Sequence, residues 1–221
     1  MESQELSIGD LIDLRISLMR KSSVEREEIA LRIIDKNGLL LEYVENQTEE
    51  ICLRAIRSGA LALRFVKNQT DRICLEAVKQ SGLQLASVVN KTKGICLEAV
   101  KNDSASLCYV DDQTEEICLI AVRDCGEVLE YVEDQNEKIC LKAVRQNGLA
   151  LRYVKDKTDE ICLIAVIQDG YALEYVENQT EEICIAAFVT GLDDDQYELI
   201  KDEDMRKSVR KYVERTRAAK K

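Results

Sequence analysis

Seven cysteines recur at a constant interval of 22 residues: Cys52, Cys74, Cys96, Cys118, Cys140, Cys162 and Cys184. A thiol can serve as a nucleophile, a metal ligand or half of a disulfide, and each role needs a different neighbourhood. A nucleophilic cysteine or serine is usually activated by a histidine. The chain contains no histidine, so neither pair can form within it. A disulfide needs Cα atoms within about 7 Å, and tetrahedral zinc needs thiolates converging at about 2.3 Å. Equivalent helices of a regular stack lie about 8–10 Å apart, which suits neither. The column is therefore expected to pack as small buried apolar groups. Cys108 and Cys125 stand off the column and are expected nearer the surface, as the more reactive thiols.

Carboxylate pairs such as Glu49-Glu50, Glu115-Glu116 and Glu181-Glu182 recur with the same period, whereas an active site would break a repeat. No glycine-rich phosphate loop and no metal-spaced cluster is present. The sequence thus assigns no catalytic, cofactor-binding or metal-binding residue and implies no cofactor.

The irregular positions carry more information. The pairs Glu42/Glu45, Arg64/Lys67, Glu130/Glu133, Arg152/Lys155 and Glu174/Glu177 alternate in sign between successive copies, predicting a ladder of surface ion pairs. Ala86, Val89 and Cys108 interrupt it, Ser87 replaces an aromatic residue, Ser104 replaces a glycine, and Lys91, Lys93 and Gly94 replace a polar-acidic junction. An apolar spot beside a positive one is expected there, making Ala86, Val89, Lys91, Lys93 and Cys108 candidate partner contacts. Drift in a tolerant repeat is the simpler explanation. Arg57, Lys79, Lys101, Arg123 and Arg145 fall where helix C-termini favour cations. Arg206, Lys207, Arg210, Lys211, Arg215 and Arg217 form a candidate basic contact. A terminal helix with a solvated basic face accounts for these residues more simply.

The elements that carry these residues follow from the repeat. Ile-Cys begins at Ile51, Ile73, Ile95, Ile117, Ile139, Ile161 and Ile183, and Ile29-Ala30 opens a related copy. The unit reads Thr-Glu-Glu-Ile-Cys-Leu-x-Ala-Val, a glycine-containing turn, then Leu-x-Tyr-Val. Thr48, Thr70, Thr92, Thr114, Thr158 and Thr180 stand where an N-cap hydroxyl is wanted. Gly38, Gly59, Gly82, Gly126, Gly148, Gly170 and Gly191 are expected to close the first helix in a left-handed conformation. A first helix of about ten residues and a second of about seven or eight are each too short to stand alone. On both, an apolar arc about 200° wide is expected, with Leu61, Ala62, Leu63, Phe65 and Val66 buried on the second.

The expected fold is all-α: an α-solenoid of eight two-helix repeats with N- and C-terminal capping helices. Residues 1–28 would hold the first cap, with a helix from Ile8 to Arg20, and residues 29–192 the repeats. Residues 193–221 would form an acidic linker and a basic cap placing Met205, Val209, Tyr212 and Val213 on one stripe. The absence of proline and the scarcity of aromatics, at 5%, agree with this class. A net charge of −11 disfavours broad binding to nucleic acid or an anionic membrane. No apolar stretch is long enough for a membrane span, and Met1–Glu5 lacks the basic start of a signal peptide. The Asn-x-Thr sequons at Asn46, Asn68, Asn90 and Asn178 are read as unglycosylated by-products of the repeat.

The run Ala-Leu-Glu-Tyr-Val-Glu-Asn-Gln-Thr-Glu-Glu-Ile-Cys over residues 172–184, continued elsewhere by Leu-x-Ala-Val, resembles a short helical repeat known only as a domain of unknown function. That family is common in large DNA viruses infecting amoebae and occurs in some bacteria. The resemblance covers residues 29–192 and implies a helical array and a viral source, with no catalytic residue to transfer. The expectation is a non-enzymatic scaffold for protein partners or self-association, in a reducing host cytoplasm or a virion and not secreted. No membrane and no small-molecule substrate are expected. Nucleic-acid docking through the basic C-terminal helix is the alternative.

Overall fold

The computed structural model describes residues 22–219. Among them every regular element is a helix, and α-helices of about three turns alternate with six-residue 3-10 helices. The α-helices are α1 (Ser23–Ile34), α2 (Glu49–Ser58), α3 (Asp71–Gln80), α4 (Lys93–Asn102), α5 (Glu115–Asp124), α6 (Glu137–Gln146), α7 (Asp159–Gln168), α8 (Glu181–Thr190) and α9 (Glu203–Ala219). The 3-10 helices are η1 (Gly38–Tyr43), η2 (Ala60–Phe65), η3 (Gly82–Ser87), η4 (Ser104–Tyr109), η5 (Gly126–Tyr131), η6 (Gly148–Tyr153), η7 (Gly170–Tyr175) and η8 (Asp194–Leu199). The fold is an α-solenoid. It divides into two compact units after Asn102. In the first, α1 to α4 pack in order and η1 to η3 pack in order; in the second, α5 to α9 do so, with η4 to η7 beside them. The helix expected over Ile8–Arg20 lies outside the described residues.

The second element of each repeat is a 3-10 helix, not the short α-helix expected. Its bonds run from residue i+3 to i: Ala62 N–H donates to Gly59 O at 2.9 Å and Val66 N–H to Leu63 O at 3.0 Å. Six residues then span about 12 Å, against about 9 Å in an α-helix, closer to the about 15 Å of the ten-residue partner. The change of period also moves side chains. Leu63 and Val66, three apart, share the buried line, while Leu61, Arg64 and Lys67 share the outer one. Leu61 is accordingly 55% exposed, although an α-helical arc would bury it.

The α-helices start as the sequence suggests. The hydroxyls of Thr48, Thr70, Thr158 and Thr180 each accept from the backbone N–H three residues on, at 3.3–3.4 Å. Thr114 makes no such bond, and its oxygen is buried without a partner. At Asn136 the amide oxygen replaces the hydroxyl, accepting from Ile139 N–H at 2.9 Å.

The glycines, by contrast, have a different purpose from the one expected. Among the described residues only Gly191 has a positive φ, 158°; Gly59, at 177°, is merely extended. What requires glycine elsewhere is proximity. A Cβ on Gly38 would stand 2.2 Å from Ala55 O, one on Gly126 2.5 Å from Ala143 O, and one on Gly148 2.4 Å from Ala165 O. The glycine opening each of these 3-10 helices meets the backbone of the next α-helix at a fully buried alanine. Removing Cβ sets how closely successive repeats nest.

In each unit the core is built from the same buried positions of successive repeats. Ile, Cys, Ala and Val or Ile come from the α-helix, Leu and Val from the 3-10 segment, and nearly all are less than 5% exposed. The final repeat departs from this pattern. After Gly191 two extra residues displace η8, and Phe188 and Tyr197 take the places of Val and Leu, stacking at 4.1 Å with an interplanar angle of 8°. The acidic stretch expected as a linker therefore contains a further repeat-like element. Helix α9 covers this end: Val209 and Val213 are buried, Met205 is half-buried, and Tyr212 remains 50% exposed.

Candidate interaction surface

The column thiols are buried, and all nine cysteines are free. Burial pushes Cys52, Cys74, Cys118, Cys140 and Cys162 above the ordinary thiol range and Cys184 to about 11. Neutral thiols are poor nucleophiles and poor metal ligands. Among the described residues no cluster of Cys, Asp or Glu could hold a metal.

Four of these thiols, Cys52, Cys74, Cys118 and Cys140, face an amide, whereas Cys184 faces the Met205 sulfur at 3.6 Å. Cys140 donates to Gln135 Oε1 at 3.6 Å, Cys74 to Gln69 at 3.7 Å, and Cys118 to Gln113 at 3.9 Å. Each glutamine has three further bonds that join two repeats. Gln135 Nε2 donates to Leu129 O at 3.3 Å and to Tyr153 O at 2.9 Å, while its Oε1 accepts from Lys155 N–H at 3.0 Å. Gln47, Gln69, Gln113 and Gln179 repeat this pattern. A second amide joint lies at the other end of the α-helices. Gln146 Oε1 accepts from Gly126 N–H at 2.6 Å and its Nε2 donates to Asp124 O at 3.3 Å; Asn102 does the same with Gly82 and Lys79. Backbone groups that would otherwise be orphaned at both edges are thereby satisfied.

The sequence offered a signal for the first joint, since glutamine recurs between Asn or Asp and Thr or Asn. That signal was hidden by its reading as part of a sequon. Lysine takes the glutamine position at Lys91 and Lys157.

The alternating charges do not form the ladder of ion pairs expected between Glu42/Glu45-type and Arg64/Lys67-type residues. The lysines reach backbone carbonyls instead. Lys67 Nζ donates to Val44 O at 3.3 Å and Glu45 O at 2.9 Å, Lys155 Nζ to Val132 O at 3.5 Å and Glu133 O at 2.5 Å, and Lys201 Nζ to Val176 O at 2.7 Å. The arginines lie over aromatic rings, Arg64 at 4.7 Å from the Phe65 centroid and Arg152 at 4.6 Å from that of Tyr153. Arg152 also pairs with Glu127 at 3.1 Å. A carbonyl at a helix end and a ring face are closer targets for these cations than a carboxylate on the next repeat.

The candidate partner contacts fall in different places. Ala86, Val89, Lys91 and Lys93 belong to the first unit, where Ala86 is exposed, Val89 is 85% exposed, Lys91 is half-buried and Lys93 is exposed. Cys108 is exposed and belongs to the second unit. Beneath Ala86 the repeat carries Gln84, and beside Cys108 it carries Ser106; both are buried where other copies place Leu, Ala or Val. Gln84 Oε1 and Ser106 Oγ have no hydrogen-bond partner.

The basic C-terminal residues divide as well. Arg206 donates to Ile200 O at 2.8 Å and pairs with Glu198 at 3.1 Å; Arg217 pairs with Asp194 at 2.6 Å and donates to Leu192 O at 3.2 Å. These two fasten the cap. Arg210 stands 5.4 Å from the Tyr197 ring and pairs with Glu214 along the helix; Lys207 pairs with Glu203 and Asp204. Lys211 and Arg215 are exposed.

In three repeats the aromatic residue closing the 3-10 helix remains outward. Tyr43 is 43% exposed, Tyr109 38% and Tyr131 41%. The Tyr131 hydroxyl is pushed above its usual range, chiefly by Glu130 beside it. No helix among the described residues is long and apolar enough to cross a membrane. No curated protein and no solved structure matches the chain. Residues 114–157 and 136–179 each match the model of a Domain of unknown function (DUF4116), the two overlapping matches being offset by one 22-residue repeat. That stretch of the second unit is thus similar to a repeat whose function is not established.

Proposed function

We propose that this chain is a non-enzymatic scaffold whose outward face engages protein partners or further copies of itself. The observation that carries this reading is how the reactive side chains are used. The column thiols are neutral and buried, and the recurring amides are spent on backbone groups, so the chemistry-bearing residues hold the stack together. Tyrosines and charges are left at the surface, a composition found in protein interfaces. The thiol–glutamine contacts require reduced cysteines, which favours a reducing compartment. The resemblance of the repeat to a family common in large DNA viruses makes a viral protein our preferred source.

The second reading, nucleic-acid docking through the basic helix, draws on Lys207, Lys211 and Arg215. It is weakened by the employment of Arg206 and Arg217 as cap fasteners. Titrating labelled single- and double-stranded oligonucleotides at low salt tests the choice, with light scattering on the same sample. Weak, shallow binding is expected. Tight binding with a steep salt slope, abolished by Lys207→Glu, Lys211→Glu and Arg215→Glu together, would sink the scaffold reading.

A further inference from the structure

The outward aromatic rings come in two kinds. At Phe65 and Tyr153 the preceding residue is arginine, and its guanidinium lies on the ring at 4.7 and 4.6 Å. At Tyr43, Tyr131 and Tyr175 the preceding residue is glutamate. Phe65 and Tyr153 are half-buried under their arginines, whereas Tyr43 and Tyr131 are 43% and 41% exposed. Tyr175 is half-buried, and its neighbour Glu177 pairs with Lys157 at 3.3 Å. Tyr109, which follows Cys108, is 38% exposed. Tyr43 and Tyr131 are therefore the open rings that follow a glutamate, one in each unit.

Their surroundings match residue for residue. Glu42, Tyr43, Val44, Glu45 and Lys67 line a cleft of about 200 Å³ in the first unit. Glu130, Tyr131, Val132, Glu133 and Lys155 stand at the equivalent positions in the second. In both, the lysine turns to the carbonyls of the valine and the second glutamate, so its charge is directed at backbone. Glu42 and Glu130 lie on the outer line of their 3-10 helices, Glu45 and Glu133 just beyond the helix ends, and all four are exposed. A ring face flanked by two carboxylates attracts a planar cation through the ring quadrupole and through charge. The protein itself shows a guanidinium on the ring at this position in two other repeats, at Phe65 and Tyr153.

We propose that the Tyr43 and Tyr131 clefts each accept an arginine side chain from an arginine-rich segment of a partner protein. This inference rests on the scaffold reading and names the class of partner. The guanidinium would stack on the tyrosine ring and hydrogen-bond the flanking carboxylates, completing on these repeats the arrangement that Arg64 and Arg152 supply elsewhere.

The probe is a fluorescein-labelled peptide of alternating arginine and glycine, followed by anisotropy on the full chain, with a glutamate–glycine peptide as the reference. The arginine peptide should bind and the glutamate peptide should not. Tyr43→Leu and Tyr131→Leu should each weaken binding by about two- to fivefold, and Tyr→Phe at both positions should leave it unchanged. Both residues are exposed, so an unaltered circular dichroism spectrum is expected. The quadruple variant Glu42→Gln, Glu45→Gln, Glu130→Gln, Glu133→Gln should lose more affinity than the charge-matched Glu50→Gln, Glu137→Gln, Glu160→Gln, Glu182→Gln. Equal losses from the two quadruple variants, or leucine variants that bind like the parent, would overturn the proposal as diffuse charge attraction. Failure to bind the peptide at all would overturn it too, while the scaffold reading would still stand or fall on the oligonucleotide titration. Loss of self-association in the leucine variants without peptide binding would reassign the clefts to a second copy and reject the arginine-rich segment.

Discussion

Within one repeat of the second unit, the joint and the face obey opposite rules. The joint consists of Gln135, Cys140, Gly148 and the backbone of the flanking elements, and its polar atoms have partners on an adjoining repeat. The face consists of Glu130, Tyr131, Arg152 and Tyr153, and its residue types alternate while the backbone beneath them does not. The joint recurs in most copies, with lysine for glutamine at Lys91 and Lys157 and with Ala60 and Ser104 in place of the opening glycine, because a change there touches two repeats at once. The face can vary because each change touches solvent.

Substitutions can sharpen this division or break it. The largest effect is expected at Gly148→Ala, whose new Cβ meets Ala165 O; a loss of about 2–3 kcal/mol should be visible as a lower midpoint in urea. Wild-type stability in this variant would mean that the nesting distance is adjustable. Gln135→Ala comes next. It orphans Tyr153 O and Lys155 N–H and removes one of the two bonds to Leu129 O, at a cost of about 1–3 kcal/mol by chemical denaturation. Gln135→Lys should cost less, since lysine holds the equivalent place at Lys157.

A third test uses pH and thiol reactivity. Burial holds the column thiols protonated, so the unfolded chain ionises at a lower pH than the folded one. Stability from this source is full below the ordinary thiol value of 9.0 and declines as pH rises towards 11, where Cys184 titrates. Denaturation midpoints measured across that window should fall. In the native state at neutral pH, a thiol reagent should modify Cys108 first, with the column following only on unfolding. Early labelling of Cys140 would place the joint at the surface. The smallest effect is on the face: Tyr131→Leu should change stability by no more than about 0.5 kcal/mol while weakening binding to the arginine peptide.

Much of the fold was legible because the repeat is strict. Seven equally spaced Ile-Cys pairs, threonine caps and fixed apolar columns determine a stack of helices, and the wide arc of the first helix follows from its 3.6-residue period. The nature of the second helix was not legible. Over six residues a period of 3.0 and one of 3.6 bury almost the same positions, and Leu61 is where they diverge. The role of glycine was misread because a helix end offers a familiar reason for it. The actual reason, a carbonyl belonging to the next repeat, is absent from any local window.

The candidate surface was legible only in part. The replacement of charges at Ala86, Val89 and Cys108 was apparent, and Val89 is indeed among the most exposed apolar residues. The sequence could not tell that Arg64 and Arg152 cover the following ring while Glu42 and Glu130 leave theirs open. That distinction depends on where a flexible side chain comes to rest.

The amide joints have a consequence for heredity. Because a repeat carries its own half of each joint in the same side chains as its neighbours, a tandem duplication of 66 nucleotides would deliver a segment already fitted at both edges. The array can thus lengthen or shorten by unequal recombination without any compensating mutation. Natural variants differing by whole 22-residue steps, with the capping helix kept, are the expected record of that process.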